Sequence, residues 1–123
     1  MAEVVALVDD VFFQAKLMAT ARQSGVKLSV ASSKDVFLAQ AVQPEVTLLI
    51  VDLNARAGAI EALECLRDSG NQRPVIAFFS HVQTELADRA KSAGCRQVMP
   101  RSKFTQNLAA ILASAKAPAG DRS

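Results

Sequence analysis

The stretch Val46-Thr47-Leu48-Leu49-Ile50-Val51-Asp52 decides the fold. An apolar run rich in Leu, Ile and Val, without polar alternation, reads as a strand buried on both faces of a parallel sheet. It ends abruptly in a carboxylate. The N-terminal run Val4-Val5-Ala6-Leu7-Val8 does the same, closing on Asp9-Asp10. The carboxyl ends of parallel strands are where open α/β sheets build their sites. Carboxylates gathered there repel one another unless a cation or a proton compensates them. The two runs therefore predict an acidic crevice suited to a hard divalent cation, Mg²⁺ in particular, which prefers oxygen ligands and keeps some water. Asp9 or Asp10 would bind directly or through water, Asp52 directly, and the backbone carbonyl of Asn54 would add a neutral ligand. A metal-bound Asp52 is also a nucleophile towards a phosphoryl group. The plainer alternative is that acidic residues at strand ends cap helices and stay hydrated.

Outward from these runs, the chain alternates strand and helix patterns. Val11 to Ser24 is helix-like, with Leu17, Met18 and Ala21 on one face and Gly25 as a stop. Lys27 to Ala31 alternates polar and apolar, as a strand near a sheet edge does. Ser32 or Ser33 caps a helix to Ala41, halted by Gln43-Pro44. Asn54 to Gly58 is a loop, and Ala59 to Ser69 an amphipathic helix with Ile60, Leu63 and Leu66 inward. Pro74 opens a strand over Val75 to Phe79. Thr84 to Ala93 is helical, Arg96 to Met99 a short strand, and Phe104 to Ala117 a final helix. Five βα units imply a parallel sheet with helices on both faces, and right-handed crossovers leave few arrangements. The flavodoxin-like (βα)5 order 2-1-3-4-5 is expected, which makes strands 1 and 3 neighbours and brings Asp9, Asp10 and Asp52 to one crevice. A single α/β domain over residues 1–117 and a disordered tail over 118–123 follow.

Composition narrows the function classes. The chain has 123 residues, half of them apolar, enough for one domain with a real core. A formal charge of +2, with Lys and Arg scattered, gives no case for nucleic acid. No apolar stretch approaches the roughly 18 residues a bilayer span needs, so no membrane role is expected. Cys65 and Cys95 lie far apart with no CxxC, which predicts two buried thiols in a reducing compartment. The first strand starts almost at Met1 without a basic leader, and a cytoplasmic location is expected.

Three segments carry a resemblance over about residues 3 to 116. Val8-Asp9-Asp10, Val51-Asp52-Leu53-Asn54 and Ala93-Gly94-Cys95 occur in the order and spacing of the receiver domain of two-component response regulators. They resemble that family's acidic pair, the segment around its phosphoacceptor aspartate, and its turn after the fourth helix. The resemblance implies that Asp52 is the phosphoacceptor and that Asp9, Asp10 and the Asn54 carbonyl help hold Mg²⁺. It implies a histidine kinase or phosphotransfer protein as donor, and output to a protein partner through the face of the fourth and fifth helices.

The other half of the family's site is rewritten. Its fourth strand normally ends in Thr or Ser, whose hydroxyl bonds the phosphoryl oxygen. Here that position falls on Phe79, with Ser80 one residue late. A one-residue slip turns a strand side chain to the opposite face, so Ser80 takes the role only through a bulge or an early strand end. The family's fifth strand normally ends Lys-Pro, and here Arg101 and Ser102 stand in those places. Arg101 either contacts the phosphoryl group bidentately or pairs with Asp52 and stabilises the unmodified state. Ser102 is free to cap the last helix. The loop Asn54 to Ala59 is about one residue short of the family's pattern, with Arg56 exposed within it. His81, the only histidine, is expected to be a solvated loop residue. Of Phe12-Phe13 at the crevice mouth, periodicity puts half in the core. Val98 stands where receivers often carry an aromatic reporter of activation, which excludes a rotating-aromatic switch there.

The leading expectation is a stand-alone receiver in phosphorelay signalling, phosphorylated on Asp52 with Mg²⁺. It is not an enzyme beyond any self-catalysed phosphorylation and dephosphorylation. A pseudo-receiver that binds partners without phosphoryl chemistry is the second reading. A small phosphatase with Asp52 as nucleophile is the third, weakened because Asn54 stands where such enzymes carry a second carboxylate.

Overall fold

The computed structural model describes residues 3–55, 58–80 and 84–115. Five strands, β1 (Val4–Leu7), β2 (Leu28–Ala31), β3 (Leu48–Asp52), β4 (Val75–Phe79) and β5 (Gln97–Pro100), alternate with helices α1 (Val11–Ser24), α2 (Lys34–Ala41), α3 (Ala59–Asp68) and α4 (Thr84–Ser92). Helices α5 (Arg101–Gln106) and α6 (Leu108–Ser114) follow β5. Every strand pairing is parallel, and the order is β2-β1-β3-β4-β5, as the alternation predicts. All five β3 residues are buried because helices cover both faces of the sheet.

Strand periodicity divides the core into two. Val5, Leu7, Leu49, Val51, Val75 and Ala77 point towards α2, α3 and α4, where Phe37, Ile60, Leu63 and Leu66 meet them. Val4, Ala6, Leu48, Ile50, Ile76 and Phe78 point the other way, against Phe13 and Leu17 of α1 and Phe104, Leu108 and Leu112 of α5 and α6. On that face Phe78 stacks on Phe104 with ring centroids 4.5 Å apart, and Phe13 lies 5.1 Å from Phe78. The crevice is therefore floored by packed rings on the α1/α5 side.

Local chemistry sets the element ends. Asp10 is the N-cap of α1, its side chain accepting from the Phe12 and Phe13 amides, and Gly25 closes the helix at φ 71°. Ser33 caps α2. Several expectations need correction. The chain enters β3 at Leu48 rather than Val46, because Thr47 is still part of a crossing in which its amide bonds the Glu3 carbonyl. The last helix begins at Arg101, not Phe104, so Ser102 lies within its first turn and caps nothing. Pro100 takes the N-cap position instead, because proline's fixed φ suits a chain turning directly from strand to helix. The helix also breaks at Asn107, whose side-chain amide donates to the Lys103 carbonyl at 2.9 Å. Such back-bonding bends a helix. Cys65 is exposed rather than buried, because it lies opposite the Ile60–Leu63–Leu66 face of α3. Cys95 is half-buried, and burial pushes its thiol up to about 12. Arg56, His81 and the 116–123 tail lie outside the described residues.

Candidate functional site

Register places the site residues. Leu7 pairs with Val51 and Asp52 with Phe78, so the chain just beyond β1 and the end of β3 reach the same edge of the sheet. Phe79 pairs with Pro100, which puts Ser80 and Arg101 side by side. Asp9, Asp10, Asp52, Asn54, Ser80 and Arg101 thus lie at one end of the sheet.

Asp52 is the buried charged side chain among the described residues, 4% exposed. Its Oδ1 accepts the Asn54 amide at 2.9 Å. Burial is the largest influence on it and pushes its pKa above the ordinary carboxylate value. The Asn54 N–H and the charge of Arg101 pull the other way, while the charges of Asp9 and Asp10 add to the rise. The three carboxylates therefore feel one another across the crevice. Among the described residues, however, no three Asp, Glu, His or Cys side chains stand close enough to share one metal ion. The donor set itself, carboxylates and a carbonyl, has the hard-oxygen chemistry Mg²⁺ requires.

Asp10 has both oxygens engaged. Oδ1 accepts from the Phe12 and Phe13 amides at 3.0 and 3.2 Å, and Oδ2 accepts from Arg101 Nη2 at 3.2 Å. The hydrogen bond from Phe13 is the largest influence on its pKa, which lies below the ordinary value. Burial opposes that shift, and the Arg101 contact supports it. Asp10 thus caps α1 and contacts Arg101 in one geometry.

Arg101 does not pair with Asp52 as one expectation had it. Its guanidinium meets Asp10 and lies over the ring of Phe13, 4.1 Å from the centroid. The side chain leaves the start of α5 rather than a loop after β5, which directs it across the α1 N-terminus. Its Nη1 reaches the Ser80 hydroxyl at 3.5 Å. The ion pair is screened by solvent and weak, and the cation–π contact contributes about 0.5–1 kcal/mol. Together they order the guanidinium without fixing it beyond a ligand's reach.

Ser80 and Phe79 divide as the pleat requires. Phe79 is half-buried against the core on the α2–α4 side. Strand β4 ends there, and Ser80, in the bend beyond it, turns its hydroxyl towards Arg101. The Ser80 amide donates to the Asn54 side-chain oxygen at 2.6 Å, tying the β3 and β4 ends together. That role of the Asn54 side chain, and the Phe13 ring as a guanidinium platform, escaped sequence reasoning. So did Gln14, whose amide donates to the Val8 carbonyl and to the Ser32 hydroxyl. A Gln on the first turn of a helix is too common a pattern to single out.

An open groove of about 740 Å³ runs beside β2, lined by Lys27, Ser29, Gln40 and Glu45 among others. Ser29 and Gln40 bond each other at 3.0 Å, so those polar groups are not aimed at a ligand.

The geometry is that of a receiver-type α/β domain, and the comparisons with known proteins agree. No family model matches the chain, and no curated protein matches it. Solved structures do. The chain is similar to a response regulator receiver domain protein from Clostridium thermocellum, with a TM-score of 0.78, 17% identity and 94% of each chain covered. It is similar to a response regulator receiver protein from Pseudoalteromonas atlantica, with a TM-score of 0.80, 18% identity, and 91% of this chain and 94% of that one covered. FixJ-N has a TM-score of 0.74 and 24% identity, over 94% of this chain and 95% of its own. The chain thus has the receiver-domain fold. Among the described residues no helix is long and apolar enough to cross a membrane.

Proposed function

We propose that this chain is a response-regulator receiver module in which Asp52 accepts a phosphoryl group from a histidine kinase or phosphotransfer protein. The observation that carries this is Asp52 itself: a carboxylate 4% exposed at the end of a central strand, facing two further carboxylates and a guanidinium. Among the described residues the Asn54 amide is the one hydrogen-bond donor to Asp52, and a carboxylate so compensated is costly to bury unless it reacts or binds. With Oδ1 held by the Asn54 amide, the other oxygen is the nucleophile. It would attack phosphorus as the bond to the donor imidazole nitrogen breaks, the imidazole leaving with the bonding pair.

Asp9, Asp10, Asp52 and the Asn54 carbonyl are the residues that would hold Mg²⁺. When bound, the ion supplies charge neutralisation between the acceptor and the phosphoryl oxygens. Arg101 and the Ser80 hydroxyl, already adjacent, would contact the phosphoryl oxygens. Output to a protein partner would run through the face of α4 and the final helical segment, α5 and α6. No step calls for a second acid/base, and Asn54 supplies none, which sets the phosphatase aside. One observation favours the pseudo-receiver as second reading: Arg101 is engaged on Asp10 in the unmodified chain, so the crevice is already partly neutralised.

Amide shifts followed by NMR with Mg²⁺ and beryllofluoride, with Asp52→Asn as control, test this. Saturable shifts near Asp52, Ser80 and Arg101 in the wild type and their loss in the variant are expected. No response in either leaves the pseudo-receiver.

A further inference from the structure

We propose that Arg101, seated on the Phe13 ring, is the resident counter-cation of the crevice and competes with a divalent cation for Asp10. The inference rests on reading Asp9, Asp10, Asp52 and Asn54 as a cation site. Both Asp10 oxygens are engaged: Oδ1 accepts from two α1 amides and Oδ2 accepts from Arg101 Nη2 at 3.2 Å. A cation that ligates Asp10 does so at Oδ2, since giving up Oδ1 would uncap the helix, and there it meets the guanidinium, a like charge on the same oxygen. The guanidinium is held beside Asp10 by a second contact, which strengthens it as a competitor. It lies 4.1 Å over the Phe13 ring, which is packed in turn on Phe78 and Phe104. Its planar shape permits stacking and forked donation together, which an ammonium does not. The same side chain contacts the Ser80 hydroxyl at 3.5 Å. Release of Asp10 therefore also changes the partner of the hydroxyl beyond β4, coupling cation entry to the end of that strand. Phe13 is a positioning residue in this scheme, acting through Arg101.

Mg²⁺ titration of the full chain without any phosphoryl donor tests the exchange, read by the amides around Asp52 and by the Arg101 side-chain Nε–Hε resonance. In the wild type both signals are expected to move with one Kd. Arg101→Gln should tighten that Kd roughly tenfold, the effect of removing a competitor worth about one ion pair and one ring contact. Phe13→Leu keeps the charge of Arg101 and removes its platform, and should tighten it by about threefold. A general loss of positive charge does not explain that second result. Equal Kd values in wild type and Arg101→Gln, with the Arg101 resonance unmoved, overturn the competition and leave the cation site standing. Absence of saturable shifts in every variant sinks the cation site itself. Amide dispersion of Phe13→Leu checks its fold, and if it unfolds, Arg101→Gln and the Arg101 resonance decide alone.

Discussion

Asp52 and Asp10 respond to pH with opposite signs, and the reason lies in their surroundings. Folding raises the pKa of Asp52, chiefly by burial, so its neutral form is favoured in the native state. The stability this gives is full below the ordinary value of 3.8 and is lost as pH rises through the folded pKa, leaving an ionised burden at neutral pH. Asp52→Asn removes that burden while keeping an oxygen for the Asn54 amide. Urea denaturation at pH 7 should show the variant more stable by on the order of 1 kcal/mol, the stability–function trade expected of a reactive group. The gain should vanish when the same measurement is made near pH 3; a variant less stable at both values would refute this account. Asp10 runs the other way. Its pKa is lowered, first by the Phe13 amide, so its contribution is present above 3.8 and lost as pH falls. Sequence could nominate both carboxylates, because each ends an apolar run. It could not say which oxygen of which carboxylate Arg101 would take, because that contact joins residues 91 positions apart.

At the scale of elements, the ends of α1 and α2 were legible because their signals are local. Asp10 and Ser33 accept from amides two or three residues on, and Gly25 takes a positive φ that suits glycine. The last helix was not legible. Its start follows from β5 running straight into α5, and its break from the Asn107 side chain returning to the Lys103 carbonyl. Asn107→Ala should remove that back-bond and let α5 and α6 join. Helical content by circular dichroism is expected to rise slightly, with stability up by about 0.5 kcal/mol. Unchanged or lower helicity would mean that packing of Phe104 and Leu108, not Asn107, imposes the bend.

The whole molecule is one sheet with a core on each face, and the two cores share every central strand. Phe78 closes one and Leu63 the other, both essentially without exposure. Phe78→Ala should cost about 3–5 kcal/mol and Leu63→Ala about 2–5 kcal/mol. Each should still unfold in a single transition with the wild-type m-value, because a strand cannot keep one face while losing the other. Two separated transitions in either variant would show that the faces fold independently. The sequence by itself determined the βα alternation, the doubly buried strands and the carboxylates at their ends. Those are encoded by periodicity and by neighbours a few residues apart. Only the tertiary structure decided that Phe79 turns into the core while Ser80 faces the crevice. It alone decided that Arg101 rests on Phe13 and Asp10 rather than on Asp52. Those outcomes depend on strand register and on where α5 starts, which are set by packing between distant segments and leave no mark in local residue patterns.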